Sequence, residues 1–271
     1  MKYILFTVIG LAVMFGICFF VSGLIRRKMK KKLPFILHIL ISIVSGLLVL
    51  TIAVGVYLNI HYSADNEAAA VFANSRNIKV NELDNAFFVD GEGEDTAFIF
   101  YPGAKVDSEA YLPLMKKLAA NGVDCFVLKL PFRMAIFDVN ASDKIINDYN
   151  YKNIIVSGHS MGGVAASSYA SSNTDNIDGV VLLAAYPSSK ISDSTPLLSI
   201  YGSEDKVLQK DAYNNAKSNF PKDFEEVVIA GGNHAYYGNY GEQSGDGKAT
   251  ITREKQQDDT VSAIVAFAKG L

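Results

Sequence analysis

The first 60 residues contain no Asp or Glu, and their basic residues are Lys2 plus one cluster, Arg26, Arg27, Lys28, Lys30, Lys31 and Lys32. From Tyr3 to Ile25 no side chain is charged, and most are Ile, Leu, Val, Phe or Met. As a helix rising about 1.5 Å per residue, that stretch is roughly 34 Å long and can cross a bilayer. A second uncharged run, Leu33–Ile60, opens with Pro34, where a helix start loses nothing by a missing N–H. Residues 1–60 are therefore expected to form two transmembrane helices, about 3–25 and 33–60, joined by the basic loop 26–32.

The first run is read as a retained anchor. Its apolar core exceeds the ~7–15 residues of a signal peptide, and no small-x-small cleavage site follows. Cys18 is preceded by Phe15, Gly16 and Ile17, which is no lipid-attachment context. The loop cations outnumber the amino group and Lys2 on the N-terminal flank, so the loop is expected in the cytoplasm and both termini beyond the membrane. Ala12 and Gly16 on one span and Ser42 and Gly46 on the other fall at matching depth, which predicts a packed hairpin through small residues.

Past residue 60 the solvent changes. With 25 basic and 28 acidic residues in the whole chain, residues 61–271 carry a balance of −10. Four His, two Cys and a single basic run are too few for a zinc ribbon, a disulfide scaffold or a nucleic-acid-binding stripe. Cys18 in a span and Cys125 in a predicted strand are not expected to pair, and no motif for a metal or a nucleotide cofactor occurs.

Residues 61–77 read as a polar, Ala-rich linker, and 78–271 as a soluble domain in which short β-type runs alternate with helical ones. Strands are predicted at Phe87–Asp90, Thr96–Tyr101, Cys125–Leu130, Asn153–Ser157, Gly179–Ala184, Leu197–Tyr201 and Glu226–Ile229. Helices are predicted near Ser108–Asn121, Ser142–Tyr149, Val164–Ser172, Lys206–Phe220 and Glu254–Ala268. Several strands are near-continuous apolar runs, as in a mostly parallel α/β sheet covered by helices on both faces.

The strand Asn153–Ser157 leads into Gly158-His159-Ser160-Met161-Gly162-Gly163, a G-x-S-x-G followed by a small-residue helix. This is the setting of a nucleophile elbow, which holds a serine hydroxyl exposed at a helix start. Such a hydroxyl needs a base. Of the four His, His38 falls in a span, His61 at the membrane edge, and His159 in the elbow itself, which leaves His234 in Gly231-Gly232-Asn233-His234 after a strand end. Asp205, after strand Leu197–Tyr201, lies between Ser and His in chain order and can orient the imidazole, with Glu204 and Asp211 as fallback acids. The oxyanion donors are expected to be the N–H of Met161 and one from Tyr101-Pro102-Gly103-Ala104, where Pro102 has none; Ala104 is preferred to Gly103.

With these residues in place, the chain from about 78 to 268 resembles the α/β-hydrolase superfamily, in particular a bacterial membrane-anchored branch akin to dienelactone hydrolases. Beside the elbow, the likeness rests on Tyr101-Pro102-Gly103-Ala104-Lys105-Val106, Pro131-Phe132-Arg133-Met134-Ala135, Gly202-Ser203-Glu204-Asp205, Gly231-Gly232-Asn233-His234-Ala235 and the run Gly238–Gly247. It implies an α/β-hydrolase fold and a Ser-Asp-His hydrolase whose motif positions fall on Ser160, Asp205 and His234. The usual His-Gly before the oxyanion residue is Pro102-Gly103 here. Dienelactone hydrolases can use a Cys nucleophile where this chain has Ser160, so lactone opening is not carried over. About a dozen residues separate the strands ending near Ala184 and beginning near Leu197, too few for a cap domain, and Gly238–Gly247 is expected to wall the pocket. The expectation is a membrane-anchored serine esterase acting on a small-molecule or lipid ester, with its domain outside the cytoplasm and no nucleic-acid partner. The alternatives are an acyltransferase with the same triad and a non-catalytic binding module.

Overall fold

The computed structural model describes residues 2–28, 34–73, 78–93 and 95–271, in two compact units, 1–60 and 61–271.

The first unit is a pair of helices, α1 (Lys2–Lys28) and α2 (Phe35–Asn59), both long and apolar enough to cross a membrane. Of the expected basic loop, residues 29–32 lie outside the described residues. Ser42 and Gly46 of α2 are buried, and a Cβ on Gly46 would meet the Phe15 ring. Ser22 Oγ lies 2.7 Å from Ser42 Oγ and 3.2 Å from His38 Nδ1, and the Phe19 and His38 rings are 4.5 Å apart. The face of α1 toward its neighbour therefore carries Phe15, Phe19 and Ser22, which share a side by their spacing of four and three. Ala12 and Gly16, expected there, are exposed instead. Matching depth fixes height along a helix and leaves its rotation open; Gly46 alone makes the hollow that Phe15 occupies.

The second unit begins earlier than expected. Within the expected linker, Tyr62 bridges to Val106, and α3 (Asn66–Ala73) buries Ala68 and Val71, three residues apart on one side. Asp65 Oδ1 accepts the N–H groups of Glu67 and Ala68, each at 3.0 Å, which starts the helix. The Ala-rich composition is that of a short amphipathic helix, and only 74–77 of the linker lie outside the described residues.

Among the described residues the sheet has eight strands: β1 (Val80–Glu82), β2 (Ala86–Val89), β3 (Thr96–Tyr101), β4 (Asp124–Leu128), β5 (Asn153–His159), β6 (Gly179–Leu183), β7 (Leu197–Gly202) and β8 (Glu225–Ile229), in the order β1-β2-β4-β3-β5-β6-β7-β8. β2 runs antiparallel to both β1 and β4, and all later pairings are parallel. The three residues of β1 are too short a run to show alternation and were missed.

Alternate residues of β3 enter two cores. Phe98 and Phe100 belong to the core that includes residues of α3, α4 (Leu112–Ala119) and α8 (Arg253–Ala268); Ala97, Ile99 and Tyr101 belong to the one that includes residues of α5 (Ser142–Asp148), α6 (Met161–Ser172) and α7 (Lys210–Ala216). Helices thus cover both faces, as expected. Two predicted helices are shorter than expected, since α4 follows a 3₁₀ turn at Ser108–Tyr111 and α7 gives way to another at Lys217–Asn219. Residues 184–196, between β6 and β7, carry no helix.

Candidate active site

The site gathers at the carboxyl ends of β3, β5, β7 and β8, where a parallel sheet offers loops and helix N-termini together. Ser160 joins β5 to α6 with φ 54° and ψ −126°, a conformation that costs a non-glycine residue about 1–3 kcal/mol and persists only when its surroundings impose it. They do so here. Its N–H donates to Leu183 O at 2.9 Å, while Cβ atoms on Gly158 or Gly162 would run into the backbone of Gly162 or of Tyr101 and Pro102. The serine is only partly buried, and it precedes the first N–H groups of α6, which have no helical partners.

Asp205 follows β7 in a turn that packs Gly202 against the backbone of Gly232. Its Oδ2 accepts from His234 Nδ1 at 2.8 Å, with both side chains essentially inaccessible to solvent. Its Oδ1 takes the N–H groups of Val207 and Leu208 at 2.9 and 2.8 Å. The carboxylate is thus held from both sides, and it keeps the imidazole proton on Nδ1, leaving Nε2 as a lone-pair acceptor. Nε2 is buried and has no partner among the described residues. The fallback acids do not meet His234: Glu204 accepts the Ser203 hydroxyl at 3.0 Å, and Asp211 lies in the first turn of α7.

Sequence reasoning missed what holds His234. Asp246 accepts the N–H groups of His234 (3.2 Å), Ala235 (2.9 Å) and Gly247 (2.7 Å). Gln256 on α8 makes two bonds to the Asn233 backbone, at 2.9 and 2.8 Å. The run Gly238–Gly247 therefore clamps the His234 loop, and together with Asn233 and Tyr236 it edges a polar hollow of its own. The run was expected to wall the leaving-group side beside the base; the separate cavity beside Met161 has none of its residues in the lining. A lone Asp after several glycines carries no signal along the chain for such a role.

His159, set aside at the sequence level, is fully buried against His234 with ring centroids 4.6 Å apart. Its Nε2 lies 3.0 Å from His234 O and its Nδ1 2.9 Å from Tyr111 Oη. A carbonyl only accepts, so Nε2 carries the proton, Nδ1 accepts from the tyrosine hydroxyl, and that oxygen in turn accepts the Gly103 N–H at 3.1 Å. Burial first, and then the proximity of His234, hold the His159 pKa well below the usual histidine range, so the ring stays neutral. Burial pushes the Tyr111 hydroxyl well above the usual tyrosine value.

The Gly103 N–H is thus occupied. The next one, on Ala104, has no partner among the described residues, and the chain then turns at Lys105 (φ 61°), whose N–H donates to Arg133 O at 2.8 Å. Ala104 and Met161 both border an apolar cavity of about 190 Å³.

The sequence model of the alpha/beta hydrolase family matches residues 97–258, more than half of the chain. No protein of curated function matches by sequence. Among solved structures, Paleococcus ferrophilus monoacylglycerol lipase is similar at 15% identity and a TM-score of 0.52, over 67% of this chain and 98% of that one. A dienelactone hydrolase from Anabaena variabilis matches at 16% identity and a TM-score of 0.49, over 69% and 94%. Thermogutta terrifontis esterase 2 matches at 12% and 0.49, over 70% and 94%. At such identities the lipase likeness speaks for the fold alone. The family match runs from the second residue of β3 through β8 and includes Ser160, Asp205 and His234, and the chain belongs to the alpha/beta hydrolase family.

Proposed function

We propose that the protein is a membrane-anchored serine hydrolase that cleaves carboxylic esters through an acyl-enzyme. The observation that carries this reading is the buried Asp205–His234 pair at 2.8 Å, whose unpartnered Nε2 belongs to the same carboxyl-end cluster as the strained Ser160 elbow. Ser160 Oγ attacks the ester carbonyl carbon as His234 Nε2 takes its proton. The carbonyl oxygen becomes an oxyanion between the N–H groups of Ala104 and Met161. When the carbonyl reforms, the C–O bond to the alcohol breaks and Nε2 protonates the departing oxygen. Water then repeats the sequence on the acyl-enzyme, giving its proton to Nε2 and releasing the acid. Asp205 stays ionised throughout and stabilises the imidazolium.

The two apolar helices support anchoring in a membrane, and the basic residues at their junction support a domain held outside the cytoplasm. The test is fluorophosphonate labelling of the full chain, read by mass spectrometry. The adduct is expected on Ser160 and absent from Ser160→Ala; labelling that survives the substitution rejects the assignment.

A further inference from the structure

The cavity of about 190 Å³ beside Ala104 and Met161 can be assigned to one part of the substrate. Its wall includes those two residues, whose N–H groups are the proposed oxyanion donors, so a group that fills it belongs to the part of the substrate beside the reacting carbonyl. It also has a side. None of its lining residues comes from the His234 loop or from the turn that carries Asp205. The leaving oxygen must face His234 to be protonated, so the alcohol departs on that side and the acyl chain is the group directed into the cavity.

Chemistry and size narrow the acyl group. No charged residue lines the cavity, and the walls are mainly apolar, from α6 (Val164, Ala165) and from the segment after β4 (Ala135, Ile136). Ser168 and Ser188 bring hydroxyls to the lining, but no cation is there to balance a carboxylate on the chain. Ala135 and Ala165 are buried and form the floor, while Ile136 and Met161 are 65% and 50% exposed at the mouth. At about 30 Å³ per water- or methylene-sized group, the volume holds roughly six such groups. The wall is fixed beforehand: Tyr101 Oη donates to Val139 O at 2.6 Å and accepts the Ser142 hydroxyl at 2.8 Å, tying this segment to β3.

We propose that the substrates are esters of short, uncharged aliphatic acids of about four to eight carbons, with the acyl chain seated between Ala104, α6 and the 134–139 segment. This rests on the serine-hydrolase reading above. The experiment measures kcat/KM of the full chain in detergent on p-nitrophenyl acetate, butanoate, hexanoate, octanoate and dodecanoate. The value is expected to rise up to about fourfold per added methylene to around hexanoate and to fall at least tenfold by dodecanoate. Filling the floor with Ala165→Leu, or independently with Ala135→Val, should lower the hexanoate-to-acetate ratio at least tenfold. A flat profile, a rise continuing to dodecanoate, or an unchanged ratio in both variants overturns the proposal. Labelling of Ser160 separates the two levels. A labelled enzyme with a flat profile rejects the acyl pocket alone, whereas failure to label rejects the nucleophile and this inference with it.

Discussion

Asp205 and Glu204 are neighbours in sequence, yet only Asp205 reaches the imidazole, and its second oxygen is already committed to two backbone N–H groups. Asp205→Asn is therefore expected to cost about 10⁴-fold in kcat by allowing the wrong imidazole tautomer, while Glu204→Gln stays within a few-fold; steady-state kinetics on one ester compares them. Tyr111→Phe removes the oxygen that accepts the Gly103 N–H and the proton given to His159, leaving a ring of nearly equal size. The proposed oxyanion loop loses an anchor, so kcat is expected to drop about tenfold with KM little changed; a change confined to KM would place the tyrosine elsewhere in the mechanism. His159 adds a pH dependence of stability. It faces His234, Tyr111 and Tyr237, and its pKa is lowered in the fold, so below the unfolded value of about 6.5 the unfolded chain binds a proton that the folded chain refuses. Its contribution is present above that pH and declines on acidification, by at most about 1.4 kcal/mol per pH unit. Thermal unfolding between pH 7.5 and 5.5 should lose less stability in His159→Asn than in the parent, and an equal loss would count against this origin.

At the level of elements, α1 and α2 meet through a large-into-small fit, Phe15 at Gly46, reinforced by Ser22 with Ser42 and His38. Two cysteines at positions 22 and 42, in a chain with Cys18→Ser and Cys125→Ser, should cross-link under mild oxidation, because the serine oxygens already lie 2.7 Å apart. The pairing of positions 12 and 42 should not, since Ala12 is exposed on α1; faster cross-linking of that pair would return the small-residue face to the interface. In the second unit the corresponding lesson is α3, whose eight residues fall within the expected linker but bury Ala68 and Val71.

For the molecule as a whole, the proposed membrane anchoring carries a prediction about the side on which the hydrolase unit lies. Six of the seven residues from Arg26 to Lys32 are cationic, and the loop is short enough for the orientation rule to act on it. Alkaline phosphatase fused after Leu271 in a bacterial host is expected to be active, as it is only outside the cytoplasm. A fluorescent reporter that lights up in its place would reverse the orientation. The balance of −10 in residues 61–271 adds a weak repulsion from an anionic surface, screened within about 8 Å at physiological salt.

What the sequence determined by itself is what is written locally or in chain order. Long uncharged runs mark candidate spans because hydrocarbon tolerates little else, and β3 was bounded to the residue because its apolar run Ala97–Tyr101 begins after Asp95 and Thr96 and ends at Pro102. As candidates, Ser160 was legible from glycines that a tight turn requires, His234 by elimination among four, and Asp205 from its place after a strand between them. Tertiary structure alone decided how α1 is rotated toward α2, that Gly103 spends its N–H on Tyr111 and leaves Ala104, and that Asp246 and Gln256 hold the His234 loop. It also decided that the 134–139 segment closes a cavity against α6. These depend on distances between residues far apart in the chain, such as Tyr111 and His159, 48 positions apart. Such distances follow from where helices cross the sheet, and neither periodicity nor composition encodes that crossing.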